Sequence, residues 1–256
     1  MTAAPENGRL HVLKAVEDGW NAFAKAPWTF LLYQALVVVI ALCFAFLATI
    51  SGLRLASFEG LSEIHPAGAT LGLIIGLIGY VITMLWGAIG IIRGAWISLE
   101  GQKPTFRTFT RWDGNATRRL FIKGISLTAV ILIIAIITSV AGLGLAQING
   151  VLAVAPAAVF VIIYVYLIIN QKFLPFIALF EKKTPFEAIA RGRKVVDPSW
   201  WMVAWFFIVE AVLYAIAGLF QYGGLFVVFP ILTCISTAAY RQLFGKEDQT
   251  GLLSGN

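Results

Sequence analysis

The chain is predicted to be an all-α membrane protein that crosses the bilayer six times. Its composition is the first indication: 59% of its 256 residues are hydrophobic and only 12% are charged. A soluble domain carries about 25% charged residues. The second indication is a series of long uncharged runs, since about 20 apolar residues are needed to cross roughly 30 Å of hydrocarbon.

Six apolar runs provide the predicted spans. They cover residues 28–50, 71–92, 121–146, 151–169, 201–220 and 225–240. Helices are expected because lipid leaves an open backbone unsatisfied, and no run alternates like a barrel strand. The short connections 147–150 and 221–224 predict antiparallel hairpins. Residues 1–256 are therefore interpreted as one integral membrane domain of three hairpins, with a lead-in at 1–27 and a tail at 241–256.

Basic side chains lie almost entirely on one side of the predicted spans. Of the 19 Lys and Arg residues, only Arg54 falls on the other side. The positive-inside rule therefore predicts a multi-pass protein of the cell membrane with both termini in the cytoplasm and the connection 51–70 outside. We attribute the pI near 9.4 to this topology and to contact with anionic lipid headgroups, and we expect no nucleic-acid partner.

The segments before spans one, three and five resemble one another. Residues 103–111 align without gaps on residues 183–191, and the first lead-in fits more loosely. Each is predicted to be a cytoplasmic amphipathic helix at the membrane interface; the alternative is an ordinary basic loop. The third starts with a predicted capping box formed by Thr184 and Glu187. The residues expected to contact lipid headgroups are Arg107, Arg111, Arg118, Arg119, Arg191, Arg193 and Lys194.

Small residues recur every three or four positions along the second span. This spacing places them on one helical face, where another helix can approach closely. That helix could belong to this chain, to a second copy or to another membrane protein; the alternative is the smooth wall of a conduit. The glycines of this stripe are Gly72, Gly76, Gly79, Gly87, Gly90 and Gly94.

Glu210 is the one acidic or basic residue well inside a predicted span. A charged carboxyl there costs about 2.5 kcal/mol or more. A lone Glu210 is therefore expected to be neutral unless a water-filled cavity or a cation reaches it. It is either a structural hydrogen-bonding group between helices or a contact for a proton, an ion or a substrate. The candidate polar partners are Gln34, Tyr164, Thr233 and Ser236.

The end of the fourth span is ambiguous. Asn170, Gln171 and Pro175 interrupt an apolar run that resumes over residues 173–180. The helix is expected either to continue with a kink or to break here. In both cases Asn170 and Gln171 are expected close to the cytoplasmic interface, within reach of water.

Catalytic motifs are not recognisable in this sequence. It contains no GxSxG, HExxH, Walker or dinucleotide-binding glycine pattern. Cys43 and Cys234 lie separately in apolar runs, and His11 and His65 lie in separate segments. Neither a disulfide framework nor a metal site is implied. The sequence therefore predicts no enzymatic activity, no cofactor and no bound metal.

Several short motifs follow one another in a distinctive order. They are Asp18-Gly-Trp20, residues 87–101 running into Gln102-Lys-Pro-Thr-Phe106, Leu174-Pro-Phe-Ile-Ala-Leu-Phe180, Thr184-Pro-Phe-Glu-Ala-Ile-Ala-Arg191 and Trp200-Trp201. This order resembles the superfamily of bacterial multi-span proteins named for the membrane domain of glycerophosphoryl diester phosphodiesterases. The resemblance implies a six-helix membrane domain without inherited catalysis, because the chemistry of those phosphodiesterases belongs to a separate soluble domain.

These observations favour a non-enzymatic integral membrane protein that serves as an accessory, scaffold or lipid-interacting subunit. The alternative is a small transporter or permease that works through Glu210. Many secondary transporters have two inverted halves, which three units in the same orientation do not supply. The transporter interpretation is therefore less favoured. A membrane enzyme ranks third, because the chain offers a single intramembrane acid.

Overall fold

A computed structural model describes residues 10–56 and 66–254. Parts of the predicted lead-in, outer connection and tail, at residues 1–9, 57–65 and 255–256, lie outside the described residues. The described ranges form ten α-helices and a 3-10 turn at Asp197–Ser199. The helices are α1 (Val12–Ala24), α2 (Pro27–Ala56), α3 (Pro66–Leu99), α4 (Phe106–Thr110), α5 (Gly114–Ala146), α6 (Val154–Asn170), α7 (Leu174–Phe180), α8 (Pro185–Val196), α9 (Trp200–Gly218) and α10 (Gln221–Phe244).

Six helical stretches in the described residues are long and apolar enough to cross a membrane, which confirms the predicted class. They contain α2, α3, α5, α6, α9 and α10. Consecutive members pack as three antiparallel hairpins: α2 with α3, α5 with α6 and α9 with α10. Four of these helices, α2, α3, α5 and α10, extend several residues past the predicted ends of their spans, because less apolar residues at the boundary continue the helix. In α5 the early start is fixed by Asp113, whose side chain accepts a hydrogen bond from the Ala116 N–H.

The predicted connection at 221–224 is wrong. α10 already begins at Gln221, so the turn from α9 is made by Leu219 and Phe220. A Cβ at Gly224 would collide with the carbonyl of Ala217. Gly224 therefore permits the close approach of the two helices at their turn, and it does not mark a loop.

The fourth span breaks near its end. α6 ends at Asn170, residues 171–173 form a turn, and α7 starts with Pro175 in its first turn. A proline in a continued helix would clash with the carbonyl four residues earlier, here that of Gln171. The helix therefore restarts in a new direction. Almost all of α7 is buried, so the predicted connection 170–200 contributes to the core.

Helices precede spans one, three and five, at α1, α4 and α8. The capping box of α8 is present, because the Thr184 hydroxyl and the Glu187 carboxylate each accept a backbone N–H from the other. All three helices bury a face against the protein. α1 packs so closely on α10 that a Cβ at Gly19 would lie 2.5 Å from the Ile235 backbone. The first lead-in is thus a packed member of the bundle.

The largest buried cluster lies where α1, α7, α8 and the C-terminal residues 245–254 meet the ends of α3, α9 and α10. We call this region, together with α4, the basic end. At its centre Trp96 stacks near Phe180, with 4.1 Å between ring centroids, and both side chains are fully buried. By contrast, Ile133 and Ile137 of α5 are 57% and 62% exposed, as expected for side chains that face lipid.

The glycine stripe of α3 packs within the chain, mainly against α2. A Cβ at Gly76 would lie 2.6 Å from the backbone nitrogen of Ala48, and one at Gly87 would lie 2.6 Å from Cγ1 of Val37. The absence of side chains on this face lets the two helices approach closely along much of their length. In the rest of the stripe, Gly72 contacts Ser51, Gly79 contacts Phe44, Gly90 contacts Tyr33 and Phe109, and Gly94 contacts Phe109.

Candidate functional site

Glu210 lies near the middle of α9, and only 6% of the residue is exposed. Both of its carboxylate oxygens have partners from other segments. Oε2 forms an ion pair with the Lys172 ammonium group, and Oε1 accepts a 2.5 Å hydrogen bond from the Ser236 hydroxyl of α10. The carboxylate therefore joins α9 to α10 and to the turn between α6 and α7.

Lys172 reaches this carboxylate because the helix breaks at residues 171–173. Its ammonium group also lies 5.1 Å from the ring centroid of Phe207 and 5.9 Å from that of Phe206. These aromatic faces attract the positive charge where water is scarce. In the sequence, Lys172 follows an apolar run in a basic connection, and nothing there predicts this contact. Pro175 was the signal that could have indicated the change of direction.

Among the four polar partners expected for Glu210, Ser236 alone is bonded to it. Thr233 donates instead to a carbonyl one turn earlier in its own helix, as hydroxyls in apolar helices commonly do. Tyr164 is 39% exposed on the surface of α6. Gln34 lies on α2, and its buried Oε1 has no hydrogen-bond partner in the described residues.

Asn170 and Gln171 are buried, contrary to the expectation that water reaches them. The reason is that α8 covers them: Gln171 Nε2 donates to the carbonyl of Ile189 at 3.0 Å. A Cβ at Gly192 would lie 3.0 Å from the Asn170 carbonyl, so α8 and this turn are in close contact. Both polar atoms of the Asn170 side chain lack a partner within the described residues. Unpaired buried amides are uncommon in proteins.

The last turn of α7 forms a second polar site. The last carbonyls of a helix lack a full set of helical partners, and a helix C-terminus favours nearby positive charge. α5 supplies two cations, and residues 245–254 supply a hydroxyl and a backbone N–H, so four hydrogen bonds join three segments here. The bonds run from Lys123 Nζ to Ile177 O (3.5 Å), Arg119 Nε to Ala178 O (3.3 Å), Thr250 Oγ1 to Leu179 O (2.5 Å) and Gln249 N to Phe180 O (2.9 Å).

Arg93 is almost fully buried near the end of α3, with 1% of the residue exposed. Its Nη1 group donates to the carbonyls of Thr108 and Arg111, at 3.2 Å and 2.8 Å, and so holds α4 against α3. Arg111 in turn donates to the carbonyl of Leu252, a fully buried residue of the C-terminal segment. These contacts connect the second lead-in to the C-terminal segment.

The residues predicted to contact lipid headgroups divide into two groups. Three of them are only partly exposed and donate to groups of the protein, so part of their hydrogen-bonding capacity is used within the fold. The other four are exposed at the basic end, where a headgroup can approach them, although Arg193 also pairs with Asp197. The first group is Arg111, Arg119 and Arg191, and the exposed group is Arg107, Arg118, Arg193 and Lys194.

A groove of about 570 Å³ opens between α6 and the start of α9, close to the basic end. At one end, the Tyr166 hydroxyl donates to Asp197 at 2.8 Å. Asp197 also pairs with Arg193 at 3.3 Å, and the guanidinium group lies 5.9 Å from the Tyr166 ring centroid. The remaining lining residues are apolar or aromatic: Val161, Ile162, Val165, Trp200 and Trp201. We call this the α6–α9 groove.

The described residues contain no group of three or more His, Cys, Asp or Glu side chains arranged to hold a metal ion. No family model, curated protein or solved structure matches the chain.

Proposed function

We propose that this chain is a non-enzymatic, lipid-interacting accessory or scaffold subunit of the cytoplasmic membrane, with both termini in the cytoplasm. The observation that carries the proposal is that the basic residues at the basic end fall into two classes, buried ones and exposed ones. Buried Arg93 and Lys123 tie helices together, whereas Arg107, Arg118 and Lys194 are exposed. Exposed basic residues beside a bilayer attract anionic lipids by about 1 kcal/mol each.

Two sequence features support the same proposal. The distribution of Lys and Arg favours a cytoplasmic location for the basic end, where anionic lipid faces it. The order of short motifs resembles a bacterial superfamily of six-helix membrane domains, and we propose membership of it. In that superfamily the membrane domain carries no catalysis of its own.

Purification in native lipid discs, followed by mass spectrometry of the lipids and proteins, tests the proposal. Discs around the wild-type protein should contain a larger anionic fraction than the bulk membrane. The combined variant Arg107→Gln/Arg118→Gln/Arg193→Gln/Lys194→Gln should lose this enrichment. A matched variant with Lys at the three arginines retains the charge and should keep the enrichment. Discs with bulk composition around the wild-type protein would refute a lipid-interacting role.

A transporter remains the second candidate, because Lys172, in the turn after α6, forms an ion pair with Glu210 inside the spanning helix α9. If Glu210 carries protons or cations, Glu210→Gln should abolish the cellular function that a deletion reveals while the variant still folds. Ser236→Ala removes a partner of the carboxylate without removing its titratable group, and it serves as the control. A folded Glu210→Gln variant that fails to complement the deletion would favour the transporter over the scaffold.

A further inference from the structure

We propose that the α6–α9 groove binds one anionic phospholipid, with an acyl chain along α6 and the phosphate at Arg193 and Lys194. This inference rests on the lipid-interacting function proposed above and narrows it to one site. The groove volume of about 570 Å³ lies within the range of small-molecule sites, roughly 300–1,000 Å³.

The walls of the groove suit a hydrocarbon chain. Val161, Ile162 and Val165 of α6 are 55%, 68% and 46% exposed, and Trp201 of α9 is 81% exposed. α6 runs toward the basic end, and these side chains lie from the middle of the helix toward that end. An acyl chain bound along these side chains would pack against them more closely than the bulk lipid around the protein does.

Positive charge is concentrated at one end of the groove. Arg193 is held there by Asp197, through Nε, and by the ring of Tyr166. A guanidinium group has five N–H donors, so the bond to Asp197 leaves donors for a phosphate. The two carboxylate oxygens of Asp197 are already bonded to Tyr166 and Arg193. Lys194 follows Arg193 in α8 and is exposed, so the formal charge of Arg193, Lys194 and Asp197 together is positive.

Trp200 provides an independent indication. Its indole N–H is buried and has no acceptor within the described residues, although the ring lines the groove. An indole is a hydrogen-bond donor only, and tryptophan is enriched at the level of lipid headgroups. Because this N–H has no exposed surface, the Trp200 side chain would have to turn it toward the groove for a phospholipid oxygen to accept the bond. A site with an apolar channel, a buried donor and a cationic end matches a phospholipid better than it matches an apolar helix of a partner protein.

Native mass spectrometry of the detergent-purified protein tests this site, with phosphatidylglycerol and phosphatidylcholine as probes. The wild-type protein should bind one phosphatidylglycerol more tightly than it binds phosphatidylcholine. Arg193→Gln/Lys194→Gln should weaken phosphatidylglycerol binding about tenfold, since a charge-assisted hydrogen bond contributes about 1.5 kcal/mol or more. Ile162→Trp, which fills the groove, should weaken it likewise. Trp200→Phe retains the ring and removes the donor, and it should give a smaller loss.

Matched variants separate the groove from the general lipid interaction. Arg107→Gln/Arg118→Gln removes two exposed charges elsewhere on the basic end, and Ile137→Trp adds the same bulk to an equally exposed site on α5; neither should alter the tight binding event. Losses in these controls equal to those in the groove variants would refute the groove and leave the lipid-interacting function standing. A wild-type protein without preference for phosphatidylglycerol would refute both. Unchanged lipid binding in Ile162→Trp, with loss of a co-purifying membrane protein, would assign the groove to that protein instead.

Discussion

At the scale of single residues, one proline accounts for the ion pair inside the bundle. Pro175 prevents α6 from continuing, and the resulting turn directs Lys172 to Glu210. The sequence showed that Glu210 is the one acidic or basic residue well inside a predicted span, and Ser236 was among its predicted partners. It missed Lys172 because a basic residue after an apolar run is usually solvated, and nothing local in the sequence specifies where a chain turns after a helix ends. Glu210 is thus not a lone carboxyl, since a cation reaches it.

Because they form an ion pair, Lys172 and Glu210 are expected to contribute to the free energy of unfolding as a coupled pair. Lys172→Met should cost about 3–5 kcal/mol of unfolding free energy, because it leaves a buried carboxylate without its counter-charge. Glu210→Gln should also destabilise, since it keeps the bond to Ser236 but leaves the ammonium unpaired. The double variant should cost less than the sum of the two, by at least about 1 kcal/mol. Unfolding by SDS titration in detergent measures all three, and additive losses would show that the pair is not coupled.

At the scale of elements, close packing of α3 on α2 follows from residues without side chains. The periodicity of small residues was visible in the sequence, but the neighbouring helix was not. Contact pairs such as Gly76 with Ala48 and Gly87 with Val37 depend on the tertiary register of the hairpin. The stripe serves this internal contact, so an interface with a second copy is not needed to explain it.

Gly76→Leu should reduce the unfolding free energy by about 1–3 kcal/mol, because the new side chain meets the backbone of Ala48. Gly144→Leu on α5 is the matched control: a Cβ there has open space within 4 Å, so its effect should be close to zero. Thermal unfolding of both variants in detergent checks the difference. Equal stability of the two variants would contradict the described contact of α3 with α2.

The C-terminal segment is a second element whose role depends on tertiary contacts. Its sequence suggested only a tail, because short polar segments are commonly solvated. Leu252 is fully buried, and its carbonyl accepts a hydrogen bond from Arg111. Leu252→Ala should therefore cost about 2–5 kcal/mol in thermal or SDS unfolding. Leu253→Ala, at a partly buried neighbour, should cost clearly less, and equal losses would show that the segment is not docked as described.

At the scale of the whole molecule, the number of spans and their hairpin pairing follow from hydropathy and loop length, and both were predictable. The end of α6, the burial of α7 and the packing of α1 on α10 were not, since they arise from contacts between segments distant in sequence. The same distant contacts bring Arg111, Arg119 and Arg191 to partners inside the protein. The burial of individual residues at the basic end was therefore the feature of the fold that was hardest to predict from the sequence.

Orientation in the membrane is a prediction at this scale. In a Cys43→Ala/Cys234→Ala background, Lys194→Cys should react with an impermeant thiol reagent only after cells are permeabilised. Asn149→Cys, at the exposed turn after α5, should react in intact cells. The reason is the accumulation of Lys and Arg on one side of the spans, with Arg54 as the exception. Labelling of Lys194→Cys in intact cells would invert the proposed orientation.

The contact of Gly19 with Ile235 has a consequence for biosynthesis. At 5–20 residues per second, the ribosome needs roughly 10 to 40 s to reach Ile235 after Gly19 has emerged. Throughout that interval α1 exists without the helix that covers it, and its apolar face must be shielded by the membrane surface, by an early partner or by a chaperone. The bundle closes in a late step that joins the first and last helices of the described chain, so conditions that slow insertion of the final hairpin prolong the period in which α1 can mispair.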